Sequence, residues 1–200
     1  MSRWEELAGA SRGAEYASRF DALEAKGADV HGEARLCASL VPAGARVLDA
    51  GCGTGRVARW LHRNGYDCVG VDLDEAMLAE ARRAAPEIPW LQGDVATLDV
   101  AGDFDLVVCA GNVIPLVAAG TEATVVANLA AALRREGLLV AGFGLDAAHL
   151  PLDEATVTLT DYDAWCADAG LSLEQRFATW DGDPYDGGGY AVSVHRRSAA

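Results

Sequence analysis

The chain has 200 residues, enough for one domain with a full core, and 51% of them are apolar, the upper edge of the globular range. Its net charge of −14 opposes a polyanionic partner, so nucleic acid is not expected. No apolar run reaches the roughly 18 residues of a membrane helix. The stretch around Arg3, Glu5 and Glu6 lacks the apolar segment of a signal peptide, so a cytoplasmic protein with no membrane partner is expected.

In chain order, Tyr16, Phe20 and Leu23 at i, i+4, i+7 predict an amphipathic helix over 14–26, closed by Gly27. Leu36 and Leu40 suggest a second helix over 32–41, stopped by Pro42 and Gly44. The apolar pair Val47 and Leu48 then reads as a buried strand ending in Asp49, followed by alternating glycines at Gly51, Gly53 and Gly55. A helix over 54–64 begins at once, with Val57, Trp60 and Leu61 inward and Asn64-Gly65 as its stop. Strand, glycine turn and helix form half of a βαβ nucleotide-binding unit. The dinucleotide fingerprint G-x-G-x-x-G would want glycine at position 56, where the chain has Arg56; the pattern is instead D-x-G-x-G-x-G.

A second strand over 68–71 ends at Asp72, where a Rossmann-like unit binds ribose hydroxyls; the plainer reading is that Asp72 or Asp74 caps the helix over 75–85, which turns Met77, Leu78 and Ala81 inward. A short strand over 89–92 leads into Gly93-Asp94-Val95, and the near-continuous apolar run over 104–110 reads as a strand buried on both faces. The segment 111–115 follows as a loop. Further elements are a helix over 121–135 capped by Thr121, a strand over 138–143, a loop over 144–159 with a short extended piece at 157–159, and a helix over 161–169 capped by Thr160. Strands over 171–180 and 190–196 flank the irregular Gly-rich stretch 181–189 and form a hairpin, so the last strand should run antiparallel. The fold class expected is α/β: a doubly wound, mostly parallel seven-stranded sheet with an antiparallel C-terminal strand and helices on both faces. Residues 1–200 are expected to form one domain, with 33–200 as the core and 1–32 as a helical segment that could simply pack on the sheet.

The five cysteines, Cys37, Cys52, Cys68, Cys109 and Cys166, lack CxxC spacing, which predicts reduced, buried thiols and no metal site. Candidate bases are His31, His149, Tyr16 and Tyr185; His31 and His149 sit in segments that could overhang the site or simply face solvent, and Tyr185 in the Gly-rich loop could line an acceptor pocket. His62, on an outer helix, and His195, in the last strand, read as structural, and Trp60 and Trp165 as core.

The acid at the strand end, the alternating glycines and the acids after the next two strands together resemble class I S-adenosylmethionine (SAM) dependent methyltransferases, over about residues 30–197. The resemblance implies SAM as methyl donor and S-adenosylhomocysteine (SAH) as product. It implies cofactor contacts from Asp49, Gly51, Cys52, Gly53, Gly55, Asp72, Leu73, Met77, Asp94, Val95, Ala110 and Asn112. Asp72 would meet the ribose, Leu73 the adenine face and Asp94 the adenine amino group. The resemblance also implies the other reading of 1–32, a helical cap or lid over the ligand. Asn112 is followed by Val113 and Ile114, which departs from the Asp/Asn-Pro-Pro-aromatic motif of DNA-adenine methyltransferases. A small-molecule acceptor is therefore expected. Two other readings stand beside this one: a non-catalytic SAM- or SAH-binding module, and an NAD(P)-dependent oxidoreductase on a related fold.

Overall fold

The computed structural model describes residues 1–7, 22, 27, 29–100 and 103–199. In chain order the elements are α1 (Arg3–Leu7), α2 (Gly32–Leu40), β1 (Arg46–Ala50), α3 (Arg56–Arg63), β2 (Asp67–Asp72), α4 (Glu75–Ala84) and β3 (Trp90–Gln92). Then come β4 (Phe104–Cys109), α5 (Val113–Leu116), α6 (Glu122–Ala132), β5 (Leu133–Gly144), α7 (Leu159–Asp168), β6 (Leu171–Phe177) and β7 (Tyr190–Arg197). The helix expected over 14–26, with Tyr16, lies apart from Ala22 outside the described residues.

The seven strands form one sheet in the order β3-β2-β1-β4-β5-β7-β6. The first five pair in parallel, and β7 inserts antiparallel between β5 and β6. Alternating side chains of the central strands feed two cores. Leu48, Val107 and Leu139 pack under α6 and α7, whereas Val47, Leu106 and Val108 pack under α2, α3 and α4. Strands covered on both faces must be apolar on both, which explains the runs read from the sequence. All five cysteines are buried and free, and burial raises the Cys109 thiol well above its ordinary range, leaving it inert.

Several boundaries differ from the sequence reading. The helix expected over 121–135 ends at Ala132, and the strand begins at Leu133 rather than 138. Leu133 is fully buried opposite Phe104, and a register shift with Glu136 in the left-handed region (φ 63°) carries the chain through Arg134 to Gly137 into the regular ladder. The long-range pairing overrides the helical propensity of Arg134 and Arg135. Thr158, not Thr160, caps α7: its Oγ1 accepts the Asp161 amide at 3.1 Å, and no strand forms at 157–159. Segment 113–116, expected as loop, is a short helix entered through Asn112 at φ 68°. β6 stops at Phe177 because Thr179, through its hydroxyl, closes a turn with Asp181 and Asp183. Thr121 makes no side-chain cap; its hydroxyl donates back to the Ala118 carbonyl.

Candidate active site

The parallel strands β1, β2, β3 and β4 end along one edge, where open α/β sheets bind ligands. The glycine turn after β1 lies at the centre of that edge, with positive φ at Gly51, Gly53 and Gly55. Two of these glycines are fixed by packing. A Cβ on Gly51 would stand 2.5 Å from Val113, and one on Gly55 would stand 2.3 Å from the Trp90 indole. Above Gly53 and Gly111, in contrast, a Cβ would meet nothing within 4 Å. The backbone is bare there, as a closely approaching ligand requires.

The amides of the turn decide what kind of ligand this is. Those of Gly51 and Cys52 donate to the Val71 carbonyl at 2.8 and 3.0 Å, and that of Gly55 donates to the Cys52 carbonyl at 2.9 Å. The Gly53 amide donates to Asp72 Oδ2 at 2.7 Å. A phosphate-binding loop presents such N–H groups to its anion; here four of them already have partners. What stands beside the bare backbone instead is carboxylate. Asp72 Oδ1 accepts the Asp74 amide at 2.9 Å, and a carboxylate offers about four acceptor positions, so capacity remains for a ribose hydroxyl. Asp49 is 2% exposed, and its Oδ2 accepts the Ala58 amide in the first turn of α3 at 3.0 Å. Burial pushes the Asp49 carboxyl up to about 7 and raises Asp72 as well. Two desolvated carboxylates beside a bare glycine turn suit a cationic ligand. The amino group and sulfonium of SAM are of that kind, so the residues fit this cofactor.

Around this centre the other expected contacts take distinct positions. Leu73 and Asp94 are half-buried, and Asp94 Oδ1 accepts the Ala96 amide at 2.8 Å. Met77 is 2% and Val95 7% exposed. The Cys52 thiol is turned inward, where a Cβ on Gly70 would approach it to 3.0 Å. Ala110 is half-buried at the end of β4. The Asn112 amide is engaged within the protein: Oδ1 accepts the Gly144 amide at 2.7 Å and Nδ2 donates to the His149 carbonyl at 3.1 Å. Asp74 is the helix cap, accepting the Ala76 and Met77 amides.

The candidate bases separate. His149 stands beyond Asn112, its Nδ1 2.7 Å from Asp146 Oδ1. Tyr185 is engaged in its own loop, donating to the Gly188 carbonyl at 3.1 Å. His31 packs beside Trp60, with ring centres 6.3 Å apart. His195 is 1% exposed, with Nε2 3.2 Å from Asp163 Oδ1, and burial lowers its pKa.

Three features escaped the sequence reading. Asp146 carries no motif. Arg56 makes two hydrogen bonds to Glu33, at 2.8 and 2.5 Å, and tethers α2 to α3. Arg3 donates to the Pro115 carbonyl at 3.1 Å and to Glu122 at 2.9 Å, while Trp4 Nε1 reaches Asp74 at 3.3 Å, so α1 bridges the starts of α4 and α6. These contacts join residues far apart in sequence.

A methyltransferase-domain family model matches residues 47–137, from β1 into the start of β5. Among solved structures, a TehB-like SAM-dependent methyltransferase from Corynebacterium glutamicum is 35% identical, with a TM-score of 0.85 over 95% of this chain and 100% of that one. This chain belongs to the class I SAM-dependent methyltransferase family, whose cofactor is SAM. Curated relatives include a ubiquinone biosynthesis O-methyltransferase from Acinetobacter baumannii, 36% identical over 46% of this chain and 47% of that protein. A malonyl-[acyl-carrier protein] O-methyltransferase from Enterobacter lignolyticus is 45% identical over 32% of this chain and 26% of that protein. The match thus spans less than half the length of these relatives. The NAD(P)-oxidoreductase alternative falls with the family assignment. Among the described residues no helix is long and apolar enough to cross a membrane.

Proposed function

We propose that this protein transfers a methyl group from SAM to a small-molecule acceptor held over the carboxyl ends of β4 and β5. The observation that carries the reading is the glycine turn, with four amides taken internally and one buried and one half-buried carboxylate, Asp49 and Asp72, beside bare backbone. Asp72 accepts the ribose hydroxyls, Asp94 the adenine amino group, and Leu73 packs on the adenine face. Gly51, Gly53 and Asp49 receive the amino-acid end, Asp49 through its charge. Bound SAM supplies an electrophilic methyl on a sulfonium whose leaving group departs neutral. The protein's task is then to align the acceptor, and alignment alone lowers barriers by about 7–11 kcal/mol in favourable cases.

A metabolite-sized acceptor is supported by the net charge of −14, which disfavours polyanions, and by the absence of the amino-methyltransferase motif after Asn112. The bridge made by α1 from Asp74 to Pro115 supports a cap over the cofactor edge. Calorimetry with SAH, SAM and NAD tests the cofactor half: SAH and SAM should bind and NAD should not. Methyl-labelled SAM in a cell extract tests the acceptor half. Label in the low-mass fraction is expected; label only in protein, RNA or DNA overturns it, and no transfer at all leaves a binding module.

A further inference from the structure

We infer that His149, oriented by Asp146, is the general base of the reaction and that the methyl acceptor is a hydroxyl, phenolic in character. The inference rests on the methyltransferase reading and adds to it the acceptor atom and a catalytic residue.

His149 is held from three sides. Asp146 Oδ1 accepts both its backbone amide, at 3.1 Å, and its ring Nδ1, at 2.7 Å. Asn112 Nδ2 donates to its carbonyl at 3.1 Å. The loop 145–149 is fastened to β7 through the Leu145 amide, which donates to the Gly189 carbonyl at 2.7 Å. Two glycines clear the space. A Cβ on Gly144 would stand 2.6 Å from the His149 carbonyl oxygen, and one on Gly189 would stand 2.0 Å from Asp146 Oδ2 and 2.7 Å from His149 Nδ1. An imidazole so fixed, yet 47% exposed, is positioned rather than merely solvated.

The hydrogen bond also sets the tautomer. An ionised aspartate only accepts, so Nδ1 carries the proton and Nε2 is left as the acceptor. His149 in turn holds the Asp146 carboxyl below its usual range. The pair lies next to the methyl-transfer centre by contact: Asn112 links it to the end of β4, and the adjoining Val113 lies against Gly51 of the cofactor turn. Among the ionisable groups around the pair is Tyr190 of β7, whose ring centre is 6.4 Å from that of His149; Asp186 lies in the 181–189 loop, 3.8 Å from where a Cβ on Gly188 would stand. Trp180 Nε1 donates to the Tyr190 hydroxyl at 2.9 Å, so a second aromatic ring continues the wall beyond the tyrosine. A flat aromatic acceptor suits that wall, and imidazole is matched to a phenol, whose pKa is about 10.

In the step, the acceptor O–H proton passes to His149 Nε2. The hydroxyl oxygen forms a bond to the methyl carbon as the carbon–sulfur bond breaks, and that bond's electron pair stays on sulfur as the neutral thioether of SAH. The imidazolium, stabilised by Asp146, then loses its proton to water.

The test uses the full chain with SAM and a panel of phenol, catechol and resorcinol, with aniline and thiophenol as controls. His149→Gln should lower kcat on a phenol by about 10²–10⁴-fold and abolish the acid limb of the pH–rate profile. Asp146→Asn should lower kcat less while the SAH dissociation constant of both variants stays within about twofold of wild type. Nitrogen NMR of the SAH complex should show His149 as the Nδ1–H tautomer, and Asp146→Asn should shift it toward Nε2–H. An Nε2–H tautomer in wild type, unchanged turnover in His149→Gln, or methylation of no phenol in the panel overturns the inference. If SAH itself does not bind, the methyltransferase reading fails instead.

Discussion

Asp49 makes the stability of this protein fall where most proteins are comfortable. Its carboxyl is buried against the first turn of α3 and titrates at about 7, against an ordinary 3.8. Between those values the folded state holds a proton that the unfolded state has lost. The stabilisation is therefore complete below pH 3.8 and disappears as pH rises to about 7, at about 1.4 kcal/mol per pH unit. From pH 5 to 7 the wild type should lose about 2–3 kcal/mol through this one group. Asp49→Asn keeps a carbonyl oxygen for the Ala58 amide and removes the titration. In urea melts at pH 5, 6 and 7 the stability difference between variant and wild type should grow in the variant's favour by that amount. The double difference cancels Asp72, whose raised pKa acts in the same direction. A cationic cofactor favours ionised Asp49, so SAM binding near pH 6 should release a proton, visible as a dependence of the calorimetric heat on buffer ionisation enthalpy. Parallel stability curves for the two proteins across this window would refute the argument.

If Asp72 holds the ribose as proposed, Asp72→Ala removes charged hydrogen bonds each worth about 1.5–3 kcal/mol, so the SAH dissociation constant should rise about ten- to 150-fold per bond lost. An unchanged constant in calorimetry would confine Asp72 to holding Gly53 and Asp74. Gly55→Ala should cost clearly more than Gly65→Ala in thermal melts. Both have positive φ, 76° and 89°, but only the first places a methyl 2.3 Å from Trp90, so equal costs would show that the indole moves aside. Arg56→Ala leaves Glu33 without its two-point partner in a half-buried site and should destabilise the fold by about 3 kcal/mol. A loss below about 1 kcal/mol would place the pair among ordinary surface bridges.

The residues proposed to hold the cofactor could be picked out of the sequence because their chemistry is local. Asp49 to Gly55 is one strand end and one turn, and Asp72 and Asp94 each follow a strand whose apolar run marks it. The proposed acceptor side could not, because its geometry is made by pairing. His149 could be named from the sequence as a candidate, but nothing near it in the chain says that Gly189 lies beneath its ring or that Asn112 holds its carbonyl. Those contacts follow from the antiparallel register Gly144 to Tyr190, fixed by the insertion of β7 beside β5. The helix overrun at 133–135 has the same origin, since Leu133 is captured by Phe104 across the sheet.

Arg56 shows how one position separates two nucleotide-fold chemistries. In the dinucleotide fingerprint the third glycine permits close approach of helix and strand, and the turn offers its amides to a pyrophosphate. Here the third glycine comes one residue earlier, and Gly55 makes the close approach, to Trp90 of β3. Position 56 is thereby released to carry a long side chain, which reaches Glu33 and the Val30 carbonyl and anchors the segment before β1 over α3. The turn amides fold back onto β2 and Asp72 instead of facing an anion. With those donors engaged, the ligand-facing charge at the sheet edge is negative, and the cofactor that answers it is a cation.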